Sequence, residues 1–419
     1  NVGVGGIVSW NGGTISNCYN VGKITGSFPG AICSNNEYGT TTNCYYLEVY
    51  GLQGTSRGSD TTTAKTAEQF ASGEVAWLLN GETDEGELAW HQNLNENADA
   101  YPVLDKNHGL VLRSCAQTYT NYLDGHVGYG DNNGFCTNCG TAQEAVLDGD
   151  TYAIANAGHL YWFAEKVNGG ETTINGKLTA DIVVNQNVLD DDGALIGDGA
   201  SFKTWTPIGK DENGKRYEGT FDGQGHTISG LYLNGGTEKQ AGLFGATGSN
   251  GKLQNVGVAG SYFCASTFVG GVCAVNRGTI SNCHNACTDG VDASNASDVP
   301  YVGGVCGVSY GGIINYCHNT GLLHANSTRF FLGGVCGSIT DNCEISCCYN
   351  TGEITAAEEM FKVVGGVCGR NEKGTITNCY NTAKITASGK YYQYVGGICG
   401  YNMSPSTISN CHNIGALEG

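Results

Sequence analysis

The chain has 419 residues, with 39 Asp and Glu against 20 Lys and Arg and a formal net charge of −19. That balance argues against nucleic-acid binding, which relies on clustered Lys and Arg to neutralise phosphates, and it fits a soluble acidic surface open to divalent cations or basic partners. No run of 18 apolar residues occurs, so no membrane insertion is expected of this chain.

Residues 1–26, NVGVGGIVSWNGGTISNCYNVGKITG, hold two short β-type runs bounded by Gly and Asn, and a degenerate copy, GSFPGAICSNNEYGTTTNCYYLE, follows. These residues, 1–50, read as coils of a solenoid. No secretory leader precedes them, so the chain is expected to be a mature or excised portion of something longer. In residues 51–112 the pattern changes. Thr66 with Gln69 spells a capping box, and Ala71, Val75, Leu78 and Leu79 recur at helical spacing before Gly81. This segment is expected to cover the end of the preceding coils, because an open coil edge invites further pairing.

Residues 113–145 form a small Cys-rich module. Cys136 and Cys139 stand in a CxxC knuckle with Cys115 and His126 upstream, a donor set suited to a tetrahedral structural zinc site. A disulfide from Cys115 to Cys136 or Cys139 is the competing reading, and either would staple a segment with almost no core. Residues 146–254 open a new domain. Asn156 caps a predicted helix with Leu160, Phe163, Ala164 and Val167 on one face and Gly169 at its end. Extended runs follow, among them FDGQGHTISG, which resembles the opening coils of right-handed β-helices. The acidic run Asp190, Asp191 and Asp192 is a candidate calcium site.

From 255 to 419 one phrase recurs: GGVCAVNRGTISNCHNA, GGVCGVSYGGIINYCHNT, GGVCGSITDNCEISCCYNT, GGVCGRNEKGTITNCYNT and GGICGYNMSPSTISNCHNI. Cys273, Cys306, Cys336, Cys368 and Cys399 mark a period of about 31 residues. No copy is long enough to bury its own core, so the expected fold is a mainly β, right-handed parallel β-helix (β-solenoid) with short capping helices. Stacking predicts apolar ladders of Val305, Val335, Val367 and Ile398 and of Ile280, Ile376 and Ile408, with an amide ladder of Asn282, Asn378 and Asn410. Val305 and Cys306 are adjacent, and a regular strand turns only one of them inward. These phrases resemble the GLUG-motif repeats of bacterial cell-surface and secreted proteins. Similar repeats accompany large IgA-cleaving metalloproteases, but no HExxH occurs here, and that activity is not carried over.

Twenty cysteines exceed the usage of an ordinary reduced cytoplasmic protein. Six coils carry a pair about 10 to 12 residues apart: Cys33 and Cys44, Cys273 and Cys283, Cys306 and Cys317, Cys336 and Cys348, Cys368 and Cys379, Cys399 and Cys411. One disulfide per coil in an extracellular or cell-surface setting is the favoured reading; buried reduced thiol ladders are the other. The sequence ends on a full repeat and begins on another, so residues 395–419 are expected to meet residues 1–48 of a second copy, against the alternative of an arbitrary fragment. No cofactor beyond structural zinc or calcium is implied. Function is read as a structural or adhesive surface protein, a rigid stalk or filament subunit that meets host or matrix glycans. The alternative is a glycan-binding or glycan-cleaving β-helix, for which Asp222, His226 and Asp190 to Asp192 supply the candidate groups.

Overall fold

A computed structural model of the protein describes all residues except 1, 49–50, 84–85, 96, 122–125, 127–128, 236–237, 293–298, 327–328, 358–360, 389–392 and 419. The chain divides into two compact units, residues 1–129 with 136–141, and residues 130–135 with 142–419.

The repeated glycine pair makes the corner from which the larger unit is built. Tyr301–Gly303 and Cys306–Tyr310 are strands joined by a bend at 304–305. A Cβ on Gly303 would sit 2.1 Å from the Cys306 carbonyl oxygen, and one on Gly304 would sit 2.3 Å from Asn319, so neither position admits a side chain. The bend re-aims the chain between two sheets. Val305 and its neighbour Cys306 are therefore both fully buried, which resolves the parity question that a straight strand poses.

Each turn of the unit adds a strand to every sheet. Two sheets of six strands run through the Gly-Gly corners, and sheets of ten and thirteen strands complete the coil. Among the described strands of this unit the pairings are parallel except at Val146–Asp148 with Thr151–Ile154. This is the expected β-solenoid. Phe221, Leu253, Ile280, Ile314, Ile345, Ile376 and Ile408 share one register, so the predicted apolar ladder is real and longer than three rungs.

The amide ladder lies elsewhere. Asn282, Asn378 and Asn410 have φ of 52°, 54° and 53°, and Tyr316 and Cys347 adopt the same left-handed turn at the equivalent positions. Asn is favoured there for its backbone tolerance, and Asn282 is exposed. The axial ladder is formed three residues later, by Asn285, Asn319, Asn350, Asn381 and Asn413. Each Nδ2 donates to the next Oδ1 at 2.9, 2.8, 2.8 and 2.8 Å. Asn319 also donates to the Gly321 carbonyl at 3.0 Å and accepts from its N–H at 3.1 Å, so one amide ties its own turn and two neighbouring coils.

The per-coil disulfides are not formed. Cys33, Cys44, Cys273, Cys283, Cys306, Cys317, Cys336, Cys348, Cys368, Cys379, Cys399 and Cys411 are all free thiols. The two cysteines of a coil belong to different ladders, and each finds its sulfur neighbours on adjacent coils. The Cys283 N–H points to the Cys317 sulfur at 3.4 Å, and the Cys317 N–H to Cys348 at 3.4 Å. Cys306 interacts with Cys336 and Cys273 on the other ladder. The second reading, buried thiol ladders, describes this arrangement.

The start of the larger unit is covered by a helix at Ala157–Asn168, whose first turn is capped by Asn156 accepting from the His159 N–H at 2.8 Å. Leu160, Phe163, Ala164 and Val167 are buried as expected, and Phe163 packs on Phe221 at 5.8 Å between ring centroids. In the smaller unit Val8–Trp10, Cys33–Asn36 and Thr55–Gly58 pair in one sheet, and Thr14–Asn20, Thr40–Leu47 and Thr63–Lys65 in another. Coil stacking thus continues past residue 50 for one partial turn. The capping box at Thr66 and Gln69 is present, but the expected single helix is two, α1 (Ala67–Ala71) and α2 (Glu74–Leu79). Gly73, at φ 90°, breaks it where a Cβ would lie 2.9 Å from Leu94 and 3.0 Å from Val111. Phe70, Val75 and Leu79 bury against Tyr45 of the adjacent strand, as a cap requires.

Replacing Asn350 with Ala removes the central rung and strands a donor on Asn319 and an acceptor on Asn381. We expect a loss of about 2–4 kcal/mol from the larger unit. Urea unfolding reads the magnitude. Hydrogen exchange should show lost protection in the flanking coils first, since a solenoid couples nearest neighbours.

Candidate functional site

One group of metal-binding side chains gathers among the described residues, and it is the set Cys115, His126, Cys136 and Cys139, all in the smaller unit. Leu112–Arg113 and Tyr119–Thr120 form a short antiparallel ribbon. Its turn is tied by the Ser114 hydroxyl, which accepts from the N–H groups of Ala116 and Thr118 at 3.2 Å each and so presents Cys115 at the tip. The CxxC segment folds back on itself. The Cys136 N–H donates to the Thr141 carbonyl at 2.8 Å, and Gly140, at φ 76°, closes the turn with an N–H to the Cys136 carbonyl at 2.9 Å. Asn138 Nδ2 latches the two pieces by donating to the Cys115 carbonyl at 2.7 Å.

The four donor atoms lie within 4.8 Å of one another. Cys115 and Cys136 sulfurs are 3.3 Å apart, and the Cys139 sulfur is 3.4 Å from His126 Nδ1. A disulfide bond is about 2.05 Å, so the expected alternative of a Cys115 bridge is not made. Two thiolates on one tetrahedral zinc stand about 3.8 Å apart, given Zn–S of about 2.3 Å. The hydroxyl and backbone N–H of Thr141 lower the Cys139 thiol from its ordinary value.

The other predicted groups are placed apart. Asp190 accepts from the N–H groups of Asp192 at 3.0 Å and Ala194 at 2.8 Å, so its carboxylate closes its own loop, and Asp191 and Asp192 are exposed beside it. Asp222 accepts from Gln224 N–H, Asn255 Nδ2 and Gln254 Nε2 at 2.8, 2.9 and 2.8 Å. Burial opposes its charge, but these bonds, with Asn255 the strongest, hold its pKa below the ordinary carboxylate value. His226 Nδ1 meets the exposed Asp181 carboxylate at 3.2 Å. A cleft of about 800 Å³ runs beside Trp205, Lys210, Asp211, Glu238 and Phe268. Of its acids, Asp211 is matched by Arg216 and Arg277 at 2.7 Å each, and the buried Trp205 donates to the Gly242 carbonyl at 3.0 Å.

A stripe that sequence reasoning missed runs along the larger unit. The rings of His284, His318, Tyr349, Tyr380 and His412 stack with centroids 5.2, 4.6, 4.8 and 5.2 Å apart and planes within 10°. Its signal was present as the aromatic or His that follows each second cysteine in NCHN, YCHN, CCYN and NCYN.

With the coils in view, their kinship can be stated. Residues 362–386 match the family described as the GLUG motif. These coils are GLUG repeats. The match covers one GLUG coil, and strand register carries the equivalence to its neighbours. A stretch of 81 residues is 37% identical to a protein of Evansella cellulosilytica provisionally named a Gly-rich membrane protein, covering 19% of this chain and 9% of that one. Another of 66 residues is 38% identical to halomucin of Haloquadratum walsbyi, covering 16% and 1%. The chain therefore spans under a tenth of either curated relative. A solved Bacteroides ovatus structure, provisionally named an immunoglobulin A1 protease, aligns over 66% of this chain and 80% of its own at 21% identity and a TM-score of 0.48. No helix among the described residues is long and apolar enough to cross a membrane.

The stacked imidazoles give the GLUG coils a pH dependence. Burial lowers the pKa of His284 and His318 from 6.5, and for His318 the neighbouring His284 adds to the effect. The unfolded chain then binds more protons than the folded one below about pH 6.5, so stability is full above that value and falls as the pH drops through it. Urea midpoints at about pH 7.5 and 5.5 should diverge for the native protein. The gap should narrow when both residues are replaced by Tyr, the residue at rungs 349 and 380.

Proposed function

We propose that this chain is a rigid structural segment of an extracellular or cell-surface protein, and that its coils extend end to end by docking on a second copy. The carrying observation is the polarity of the Asn ladders. Every rung from Asn285 to Asn381 hands an N–H to the next coil in the same direction. A second ladder does likewise, from Asn371 to Asn402 at 2.8 Å and from Asn11 to Asn36 at 2.8 Å. Asn402 and Asn413 thus stand at a donor end. Asn11 and Asn20 occupy the same positions in the first coil, where each carbonyl accepts from its own turn, at the N–H of Gly13 and of Gly22.

The apolar rungs agree. Ile408 is 36% exposed whereas its register mate Ile376 is 0%. Ile7 is 44% exposed whereas Ile32, whose carbonyl accepts the Ile7 N–H, is 0%. Each edge carries the surface that the next coil hides elsewhere in the stack. A contact between unlike edges propagates rather than closes. A covalent junction between Gly419 and Asn1 falls outside the described residues. The names of the two relatives support a surface setting.

Sedimentation and electron microscopy of the full chain test this reading. Native protein should form linear oligomers that lengthen with concentration. Ile408→Lys and Ile7→Lys each place a charge on an already exposed edge, and each variant alone should be monomeric. Mixed, they should stop at dimers, because one intact edge of each kind remains. A native chain that stays monomeric at all concentrations, or oligomers indifferent to both changes, would sink the idea.

A further inference from the structure

We propose that Cys115, His126, Cys136 and Cys139 bind one zinc ion as a structural centre that fastens the Cys115 ribbon to the CxxC knuckle. Three thiols and an imidazole are the soft and borderline donors that select zinc over calcium or magnesium. Their four donor atoms already lie within 4.8 Å of one another. The sulfur pair at 3.3 Å and the sulfur–nitrogen pair at 3.4 Å are close to the edge lengths of a zinc tetrahedron. Both pieces of backbone are held by local bonds, so the three thiols are placed by the fold. Asn138 Nδ2 grips the Cys115 carbonyl at 2.7 Å, and Thr141 Oγ1 lies 3.1 Å from the Cys139 sulfur, the kind of surrounding contact that orients ligands.

Four protein donors fill the tetrahedron, which leaves no position for a substrate or a reactive water and marks the centre as structural. The segment has reason to need it. Its ribbon is two residues a side, and among the described residues of 112–129 and 136–141 the buried side chains are few: Leu112, Ser114, Thr120 and Cys136. Metal ligation then supplies closure that apolar packing does not. On binding, the three thiols release their protons to solvent and no electrons move. A Cys115–Cys136 disulfide would instead consume two donors by a two-electron oxidation, so the two outcomes exclude each other.

The test uses the full chain purified anaerobically with reductant, with metal measured by mass spectrometry and the site probed by cobalt substitution. One zinc per chain is expected, with cobalt giving the intense visible bands of a tetrahedral ion and the ultraviolet charge-transfer bands of thiolate ligands. Cys139→Ser should cut retained zinc by about tenfold or more, while Cys347→Ser, in the larger unit, should leave it unchanged. Hydrogen exchange should show the coil strands of the smaller unit intact in Cys139→Ser and the larger unit intact in both variants, which separates lost ligation from misfolding. Three results would overturn the proposal: a chain that retains no zinc, zinc content indifferent to Cys139→Ser, or a Cys115–Cys136 disulfide in the anaerobic peptide map.

Discussion

A parallel stack places every side chain about 4.8 Å from its own counterpart above and below, and this spacing governs what the repeats can contain. A residue survives in such a ladder only if it can satisfy a copy of itself in both directions. Isoleucine does so by shape, and Tyr and His by ring stacking. Asparagine does so by chemistry, because its amide offers a donor to one side and an acceptor to the other. The buried amides of Asn319 and Asn350 would be costly in isolation, yet each is bonded along the axis and across its own turn. Repetition of the sequence is thus a direct consequence of the spacing.

The same constraint explains where repetition stops. A first coil has nothing below it, so the larger unit begins with a helix whose Phe163 lies on Phe221, and aromatic bulk replaces the missing rung. In the smaller unit Phe70 of α1, with Val75 and Leu79 of α2, performs the same task against Tyr45. Both caps begin with a side chain that satisfies the helix N–H groups, Asn156 in one and Thr66 in the other. The variable coil positions, where Tyr316 and Cys347 replace Asn, are turns that face outward and need only tolerate a left-handed backbone.

Much of this was legible in the sequence because periodicity reports stacking directly. The coil length, the Ile and Val ladders, the capping box and the Asn156 helix could be read from spacing alone. The correct amide ladder could not, since two Asn positions recur in each phrase and only backbone geometry tells which one turns inward. Gly73 split a helix whose apolar spacing was otherwise sound, because crowding by Leu94 and Val111 is a tertiary fact. The residues Cys115, His126, Cys136 and Cys139 could be grouped from the sequence by residue type, although no local pattern joins the ribbon, the histidine and the knuckle that carry them. Convergence of four donor atoms, which the Asp190 to Asp192 run lacks among the described residues, is a feature of the fold and not of local spacing.

The cysteine ladders bear on where such a protein can exist. Burial pushes the Cys273 thiol up to about 12 and lifts Cys306 well above its ordinary value. At Cys273 and Cys306 the thiol form is held, and the thiolate is the species that attacks disulfides and oxidises readily. These two thiols therefore sit in the core as small apolar side chains rather than as reactive groups. A high cysteine count is thus explained by packing in the ladders as readily as by an oxidising setting.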